Sequence, residues 1–424
     1  MTPLAQAALR RFAPRTPLAA PQDLTLPSPG STTVRDLVNR YIPAILRDFF
    51  ALPLTRLSPA RARELARLQQ LVAELSASEP GAIVSLVRRP TFSVLVRCLT
   101  HEITAPTPNP QADKLAAELV EQGLFDLALM GASVPEIVLD RPITRLASQV
   151  HDVALDFDAP AVAARFSSGS VELTLASGER FIYRADADVE LPPNVRREQP
   201  FPRLFAQTSL ALRDNNPLAL FEAHPDKDGN AIDLGGHSVD AWASSLRGAF
   251  ELVEKFLPEI ADEMRLVLQQ VVPVGYFDER HLSASYAEAI GTVYMSLHPN
   301  PLTMTEALVH EFQHNKLNAF LYFDAVLTNR EDELYASPVR PDPRPLRGVL
   351  LAVHAFLPIA RFYERLIASG ELASKEEDLR KRLKAIVEVN REGCEVLLPN
   401  ARPTALGRSL FAEIARLNEE FAGY

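Results

Sequence analysis

Residues 299–321 read PNPLTMTEALVHEFQHNKLNAFL, and the interpretation of the rest of the sequence depends on this stretch. Its two prolines end the preceding element, and Thr303–Glu306 has the pattern of a capping box, so a helix is predicted to begin there. Apolar residues then recur at helical spacing, which gives the helix a buried face. On this helix an HExxH motif places His310 and His314 four residues apart.

This spacing is typical of a metal site. Four residues are just over one helical turn, so the imidazoles of His310 and His314 project from the same face, one above the other. Both can then reach one metal ion at about 2.0–2.1 Å. Glu311 lies about 100° further round the helix, where it could act on a water molecule or orient a ligand. With only 9 histidines in 424 residues, a chance HExxH motif is rare, so we favour a metal site over two structural histidines.

Two histidines leave a metal site incomplete, and the sequence offers several third ligands. The metzincin pattern is excluded, because Phe320 stands where that pattern requires a histidine. A gluzincin would use a glutamate from a later segment, for which Glu331, Glu333 and Glu364 are candidates. We favour His354, which lies in an otherwise apolar predicted helix that begins near residue 346, because the metal needs a third donor.

Composition limits the classes of function. Hydrophobic residues make up 47% and charged residues 23%, which is typical of a globular protein. A net charge of −10 argues against a nucleic-acid partner, since binding phosphates requires a basic surface. Cys98 and Cys394 are too few for a disulfide framework and are expected to be buried. No apolar run approaches the roughly 20 residues of a membrane helix, and the N-terminus lacks the pattern of a signal peptide. We therefore expect no membrane partner and a cytoplasmic location.

The sequence predicts an α+β fold that is mainly α-helical, in three regions. Residues 1–150 have mainly helical patterns, residues 151–199 form a β-rich insert with a hairpin turn at Ser177-Gly178, and residues 200–424 form the HExxH catalytic domain. Within this last region, two helices are predicted at Val239–Phe256 and Glu259–Val271, followed by a loop.

The residues just before the HExxH helix predict a strand, because Val293, Met295 and Leu297 alternate with polar residues. A strand followed by an HExxH helix is the arrangement of zincin-like proteins, in which the free edge of that strand pairs with an extended peptide. By this analogy the catalytic half is zincin-like and binds a peptide by strand addition.

The run Ser283–Leu317 (SASYAEAIGTVYMSLHPNPLTMTEALVHEFQHNKL) and the segment Arg340–Pro345 (RPDPRP), with the helix that carries His354, resemble one family. This family comprises the HExxH-type proteins found beside ribosomally made peptide natural products. Its members are described as 2-oxoglutarate-dependent peptide β-hydroxylases. The resemblance covers residues 200–424 well and the N-terminal half only in general character.

The resemblance implies an Fe(II) ion bound by His310 and His314, with His354 as the third ligand. The implied co-substrates are 2-oxoglutarate and O2, and the implied partner is a precursor peptide. A cation is needed for the distal carboxylate of 2-oxoglutarate; arginine suits this contact, and we favour Arg344, then Arg340. Glu311 would then orient a ligand or a water molecule.

Two alternatives stay open. In a zinc metallopeptidase of the gluzincin type, Glu311 would be the general base of peptide hydrolysis. A peptide-binding protein that has lost its metal is a third reading, against which the intact His310, Glu311 and His314 count. The sequence does not specify the peptide, the modified residue or the oligomeric state.

Overall fold

The computed structural model describes residues 1–14, 16–104, 110–185, 189–220, 223–224 and 227–424. The fold is α+β and mainly helical, as the sequence predicts, with small antiparallel sheets. The chain divides into two compact units, and this division differs from the three predicted regions. The first unit comprises residues 1–14, 40–203 and 209–232; the second comprises residues 15–39, 204–208 and 233–424.

The helices of the first unit follow the apolar periodicity of the sequence. They are α1 (Pro3–Phe12), α2 (Thr33–Ala51, which begins in the segment 15–39), α3 (Pro59–Ser78), α4 (Pro80–Val87), α5 (Pro90–Thr104) and α6 (Pro110–Leu129). Leu65, Leu68 and Leu75 recur at helical spacing in α3 and are all buried. Pro80 begins α4 shortly after α3 ends, because proline is well tolerated in the first helical turn.

The strands of the first unit begin before residue 151. They are β1 (Ile137–Leu139), β2 (Ile143–Ser148), β3 (Val153–Ala161), β4 (Ala163–Ser167), β5 (Ser170–Thr174), β6 (Arg180–Tyr183), β7 (Val195–Glu198), β10 (Ala223–His224) and β11 (Lys227–Asp228). Two further strands, β8 (Arg203–Phe205) and β9 (Thr208–Leu210), include residues of the segment 204–208, which belongs to the second unit. β5 and β6 form the predicted hairpin around Gly178. The orders β1-β4-β5-β6 and β2-β3-β7 join strands on either side of residue 151, so the predicted boundary there does not separate two units.

The second unit holds the HExxH segment. Its elements are α7 (Val239–Phe256), α8 (Pro258–Val267), β12 (Gln270–Tyr276), β13 (Ser283–Ala284), β14 (Thr292–Leu297), α9 (Pro301–Leu321), β15 (Leu334–Tyr335), β16 (Arg344–Pro345), α10 (Leu346–Ser369), α11 (Glu376–Asn400) and α12 (Gly407–Phe421). Helix α9 packs against α7 and α10. Residues 15–39 and 204–208 belong to the same unit, so the predicted start of the catalytic domain at residue 200 omits its N-terminal segment.

The sheet in this unit contains one pair of parallel strands, β12 and β14. β12 pairs in parallel with β14, and β13 pairs with the other edge of β14 in the antiparallel direction. The helix predicted for Glu259–Val271 therefore ends at Val267, because the β-branched run that follows forms β12. The predicted free edge of β14 is also wrong, since β13 occupies that edge.

The start of α9 differs in detail from the prediction. Asn300 is the N-cap residue, and its side-chain oxygen accepts a hydrogen bond from the backbone N–H of Leu302 at 2.9 Å. The predicted capping box is therefore not the start of the helix. Its glutamate, Glu306, instead accepts hydrogen bonds from Tyr363 and Arg382. Asn is as good an N-cap as Thr, and Pro301 then fits the first helical position.

Helix α10 carries more apolar residues in succession than the sequence analysis recognised. Within the described ranges it is the one helix long and apolar enough to cross a membrane by length and composition alone. Within its most apolar 18 residues, however, 72% of positions are buried inside the protein. The core helix of a globular unit meets the same criterion, so this is weak evidence for a membrane span.

Candidate metal centre

The two histidines of the motif face one point. The Nε2 atoms of His310 and His314 lie 2.9 Å apart, and the ring centroids are 4.5 Å apart at an angle of 86°. Two nitrogens bound to one metal at about 2.0–2.1 Å are separated by roughly 3 Å, so this distance suits a shared ion. Among the described residues, the ligand atoms of His310, Glu311 and His314 lie within 4.8 Å of one another and could hold a metal ion.

The surroundings keep both rings neutral. Burial lowers the pKa of His314, and it lowers the pKa of His310 well below its ordinary value, with smaller contributions from His314 and His281. The ring of Phe356 lies against that of His310, with centroids 4.9 Å apart. A neutral imidazole is the form that binds a metal. The donor set and its environment therefore fit a transition metal.

Glu311 is held by two serine hydroxyl groups. Ser283 Oγ donates a hydrogen bond to Oε1 of Glu311 at 2.7 Å, and Ser285 Oγ donates to Oε2 at 2.5 Å. The glutamate side chain is buried, with 3% of its surface exposed. Both of its oxygens are thus used to fix its orientation beside the two imidazoles.

Asn315 connects the HExxH helix to the sheet. Its amide nitrogen donates to Ser285 Oγ at 3.2 Å and to the backbone oxygen of Thr292 at 3.0 Å, and its Oδ1 accepts from the backbone N–H of Gly291 at 2.7 Å. The sequence did not single out Ser283, Ser285 and Asn315, whose hydrogen bonds hold Glu311 and its neighbours in place. The available signal was the alternation of the two serines and the position of Asn315 four residues after Glu311.

His354 is not placed with the motif histidines. It is fully buried in α10, and its Nε2 lies 3.3 Å from the backbone oxygen of Leu24. A carbonyl oxygen can only accept, so Nε2 carries the hydrogen in this contact. Burial lowers the pKa of His354 well below its ordinary value, so the ring is neutral. One ring nitrogen of His354 therefore holds a segment of backbone, while its Nδ1 is buried and has no hydrogen-bond partner among the described residues.

That segment is an N-terminal strap, Asp23–Leu26, inside the second unit. The backbone N–H groups of Thr25 and Leu26 donate to Oε1 of Glu413 at 3.0 and 2.9 Å. The oxygen of Thr25 accepts from Gln313 Nε2 at 3.2 Å and from Lys316 Nζ at 3.4 Å. Side chains of α9, α10 and α12 thus bind this strap through its backbone.

The other candidate third ligands also lie outside the cluster. Glu331 is exposed, Glu333 pairs with Arg402, and Glu364 pairs with Arg361. None of the three belongs to the metal-binding group found among the described residues.

The two arginines chosen for 2-oxoglutarate lie in the lead-in to α10. Arg344 is in the short strand β16, where its guanidinium pairs with Asp342 at 3.1 Å. Arg340 is half-buried, and no ion pair joins it to another described residue. Neither arginine contacts the motif histidines in the described part of the chain.

Comparison with known proteins does not assign this chain to a family. No protein-family model matches this chain, and no curated protein matches it.

Proposed function

We propose that this chain is an Fe(II)- and 2-oxoglutarate-dependent dioxygenase that β-hydroxylates a residue in a ribosomally made precursor peptide. The observation that carries the proposal is the pair of half-buried, neutral imidazoles of His310 and His314, whose Nε2 atoms lie 2.9 Å apart. Imidazole ligands suit iron as well as zinc. The resemblance of the surrounding sequence to the HExxH hydroxylases favours iron.

The hydrogen bonds of Glu311 fit a role in orienting a bound group. Each of its carboxylate oxygens accepts a hydrogen bond from a serine, Ser283 or Ser285. A carboxylate held in this way is suited to orienting a group bound beside it.

The remaining roles follow from the chemistry of the side chains. Iron with 2-oxoglutarate and O2 supplies the oxidising power that replaces a C–H hydrogen of the substrate by a hydroxyl group. His310 and His314 would hold the metal as neutral rings, with the Phe356 side chain excluding water from one of them. Arg344, then Arg340, would bind the distal carboxylate. The present pair of Arg344 with Asp342 is exposed and weak, so a bidentate carboxylate can replace it.

A zinc metallopeptidase is the second candidate. The observation that favours it is that a carboxylate oxygen of Glu311 lies within 4.8 Å of the ligand nitrogens of both His310 and His314. In that function Glu311 would be the general base.

The test needs no knowledge of the peptide. Metal-free protein is loaded with Fe(II) without oxygen and titrated with 2-oxoglutarate while the visible spectrum is recorded. We expect a saturable charge-transfer band that is absent from the His310→Ala variant. Tight retention of zinc with no such band would refute the hydroxylase and favour the peptidase.

A further inference from the structure

We propose that a cavity of the second unit binds a phosphate group through Arg361, Arg365 and Arg416. The cavity has a volume of about 180 Å³ and is lined by the N-terminal strap at Leu26, the first turn of α8, and residues of α10 and α12. A single water molecule needs about 10–15 Å³ of such space, so there is room for a larger ligand. No residue of the HExxH motif lines this cavity, and the proposal is independent of the proposed metal site.

Two arginines of the cavity keep free the side of the guanidinium that suits oxyanions. Arg365 uses its Nη1, which donates to the backbone oxygen of Phe256 at 2.9 Å and to Glu259 at 3.3 Å. Arg416 also uses its Nη1, which donates to Glu420 at 3.3 Å. No hydrogen bond joins Nε or Nη2 of either arginine to another described residue. These two nitrogens form a fork that binds two oxygens of one carboxylate or phosphate group.

An arginine elsewhere in the same unit shows how this fork is filled from within the protein. Nε and Nη2 of Arg391 donate to the two carboxylate oxygens of Glu388, at 3.0 and 2.6 Å. The carboxylates beside Arg365 and Arg416 contact only Nη1. These single contacts are 3.3 Å long and partly exposed, so each contributes little to stability. Both forks are therefore available to a ligand.

Arg361 supplies a third positive charge to the cavity. Its guanidinium pairs with Glu364 and Glu420 and lies over the ring of Phe421, 4.9 Å from the centroid. Only 17% of its side chain is exposed, so solvent screens this charge less than that of a surface arginine. Three arginines and two glutamates line the cavity, which gives the lining a net charge of +1; Glu364 is not part of the lining.

The two free forks favour a tetrahedral oxyanion. A carboxylate has two oxygens and satisfies one fork, whereas a phosphate group has enough oxygens for both. The start of α8 adds to the attraction, because its N-cap residue Leu257 makes no side-chain hydrogen bond and uncapped N–H groups at a helix start favour an anion. The side chain of Arg416 is 61% exposed, so the cavity is open to solvent there. Free phosphate and the terminal phosphate of a larger molecule can both enter.

The test is isothermal titration calorimetry of the full-length protein with inorganic phosphate, and separately with methyl phosphate, at constant ionic strength. We expect saturable binding of one phosphate per chain. Arg365→Gln and Arg416→Gln should each weaken it by about tenfold or more, because each removes charged hydrogen-bond donors. Arg408→Gln is the matched control, since Arg408 is exposed on α12 but outside the cavity, and should bind as the wild type does. Glu420→Gln should bind more tightly, because it removes a carboxylate that competes for Arg361 and Arg416.

The outcomes decide between this site and any other. Absence of saturable binding to the wild type at millimolar phosphate would overturn the inference. Unchanged affinity in both Arg365→Gln and Arg416→Gln would also overturn it and would indicate an adventitious ion only. Loss of binding in His310→Ala would place the phosphate at the proposed metal site instead, whereas wild-type affinity there supports the cavity.

The two probes distinguish the sources of the phosphate. Equal affinity for methyl phosphate would support a site for the phosphate of a larger molecule, and rejection of methyl phosphate would support a site for free phosphate. Thermal unfolding checks that each variant is folded. If Arg365→Gln does not fold, Arg416→Gln decides alone, because Arg416 is exposed and its one ion pair is the contact with Glu420.

Discussion

His354 Nε2 donates a hydrogen bond to the backbone oxygen of Leu24, across a separation of 330 residues in the sequence. This contact joins α10 to the N-terminal strap, which α9 and α12 also bind through Gln313 and Glu413. The strap is fully buried at Leu24 and Thr25. Residues far upstream of the motif therefore complete the packing of the HExxH helix.

This relationship predicts the effect of two substitutions at residue 354. In His354→Gln the amide nitrogen can still donate to Leu24, so we expect little loss of stability and a metal affinity within about tenfold of wild type. In His354→Leu a buried carbonyl loses its partner, at a cost of about 1–3 kcal/mol in the free energy of unfolding. Chemical denaturation and Co(II) titration of both variants measure these effects. A loss of metal affinity beyond about 100-fold in His354→Gln would restore His354 as the third ligand.

Substitutions at Glu311 distinguish the two proposed chemistries. Glu311→Gln keeps the shape of the side chain, and the hydroxyls of Ser283 and Ser285 can turn to satisfy an amide. We therefore expect the 2-oxoglutarate band to persist, with metal affinity reduced by about 10–100-fold at most. The double variant Ser283→Ala/Ser285→Ala is the matched control, because it keeps the carboxylate but removes its orientation. It should weaken metal binding to a similar degree.

A peptidase would give the opposite result for this pair of variants. Without its carboxylate it would lack a general base, so Glu311→Gln would abolish hydrolysis while metal binding persisted. The serine double variant would keep the base and some hydrolysis. Assaying both variants for peptide cleavage and for the 2-oxoglutarate band separates the two functions.

Glu413 predicts a dependence of stability on pH. Burial raises the pKa of this carboxyl to about 7, although the N–H groups of Thr25 and Leu26 oppose the shift and Lys316 opposes it further. The folded protein then binds a proton more tightly than the unfolded chain. The contribution of Glu413 is fully present below pH about 4.5 and is lost as pH rises to about 7, by roughly 3 kcal/mol in the free energy of unfolding.

Comparison with Glu413→Gln isolates this contribution. The carboxyls of Asp23 and Glu263 titrate in both proteins, so the difference between the two pH profiles reports Glu413 together with its electrostatic coupling to Asp23. We expect the wild type to lose stability relative to the variant between pH about 4.5 and 7. Parallel profiles over that range, measured by urea denaturation, would contradict the assignment.

The parts of the fold that the sequence predicted depend on local signals. The HExxH helix, the strand before it and the hairpin at Gly178 each follow from periodicity and turn residues within a short window. The residues of strand β12 were predicted as the end of a helix and a loop. A short, continuous apolar run lacks the periodicity that distinguishes a buried strand from a buried helix.

The parts of the site that the sequence did not predict depend on contacts between distant segments. The spacing of His310 and His314 is a property of one helix, so their juxtaposition was predictable. The environment of His354 depends on Leu24, and the orientation of Glu311 depends on serines of a neighbouring strand. A lone histidine in an apolar helix looks the same in sequence whether it binds a metal or a backbone carbonyl.

Lys316, two residues after the motif, predicts a strong stability effect. Its ammonium group is completely buried and pairs with Glu263 at 2.8 Å. Removing one partner of a buried pair leaves an uncompensated charge, so Lys316→Met should cost about 3–5 kcal/mol in the free energy of unfolding. The double variant Lys316→Met/Glu263→Leu should recover most of this loss, because it removes both charges.

The exposed pair of Lys255 and Glu371 is the matched control, and Lys255→Met should change the free energy of unfolding by less than about 1 kcal/mol. Equal losses at Lys316 and Lys255 in urea denaturation would show that burial of the pair has no such effect.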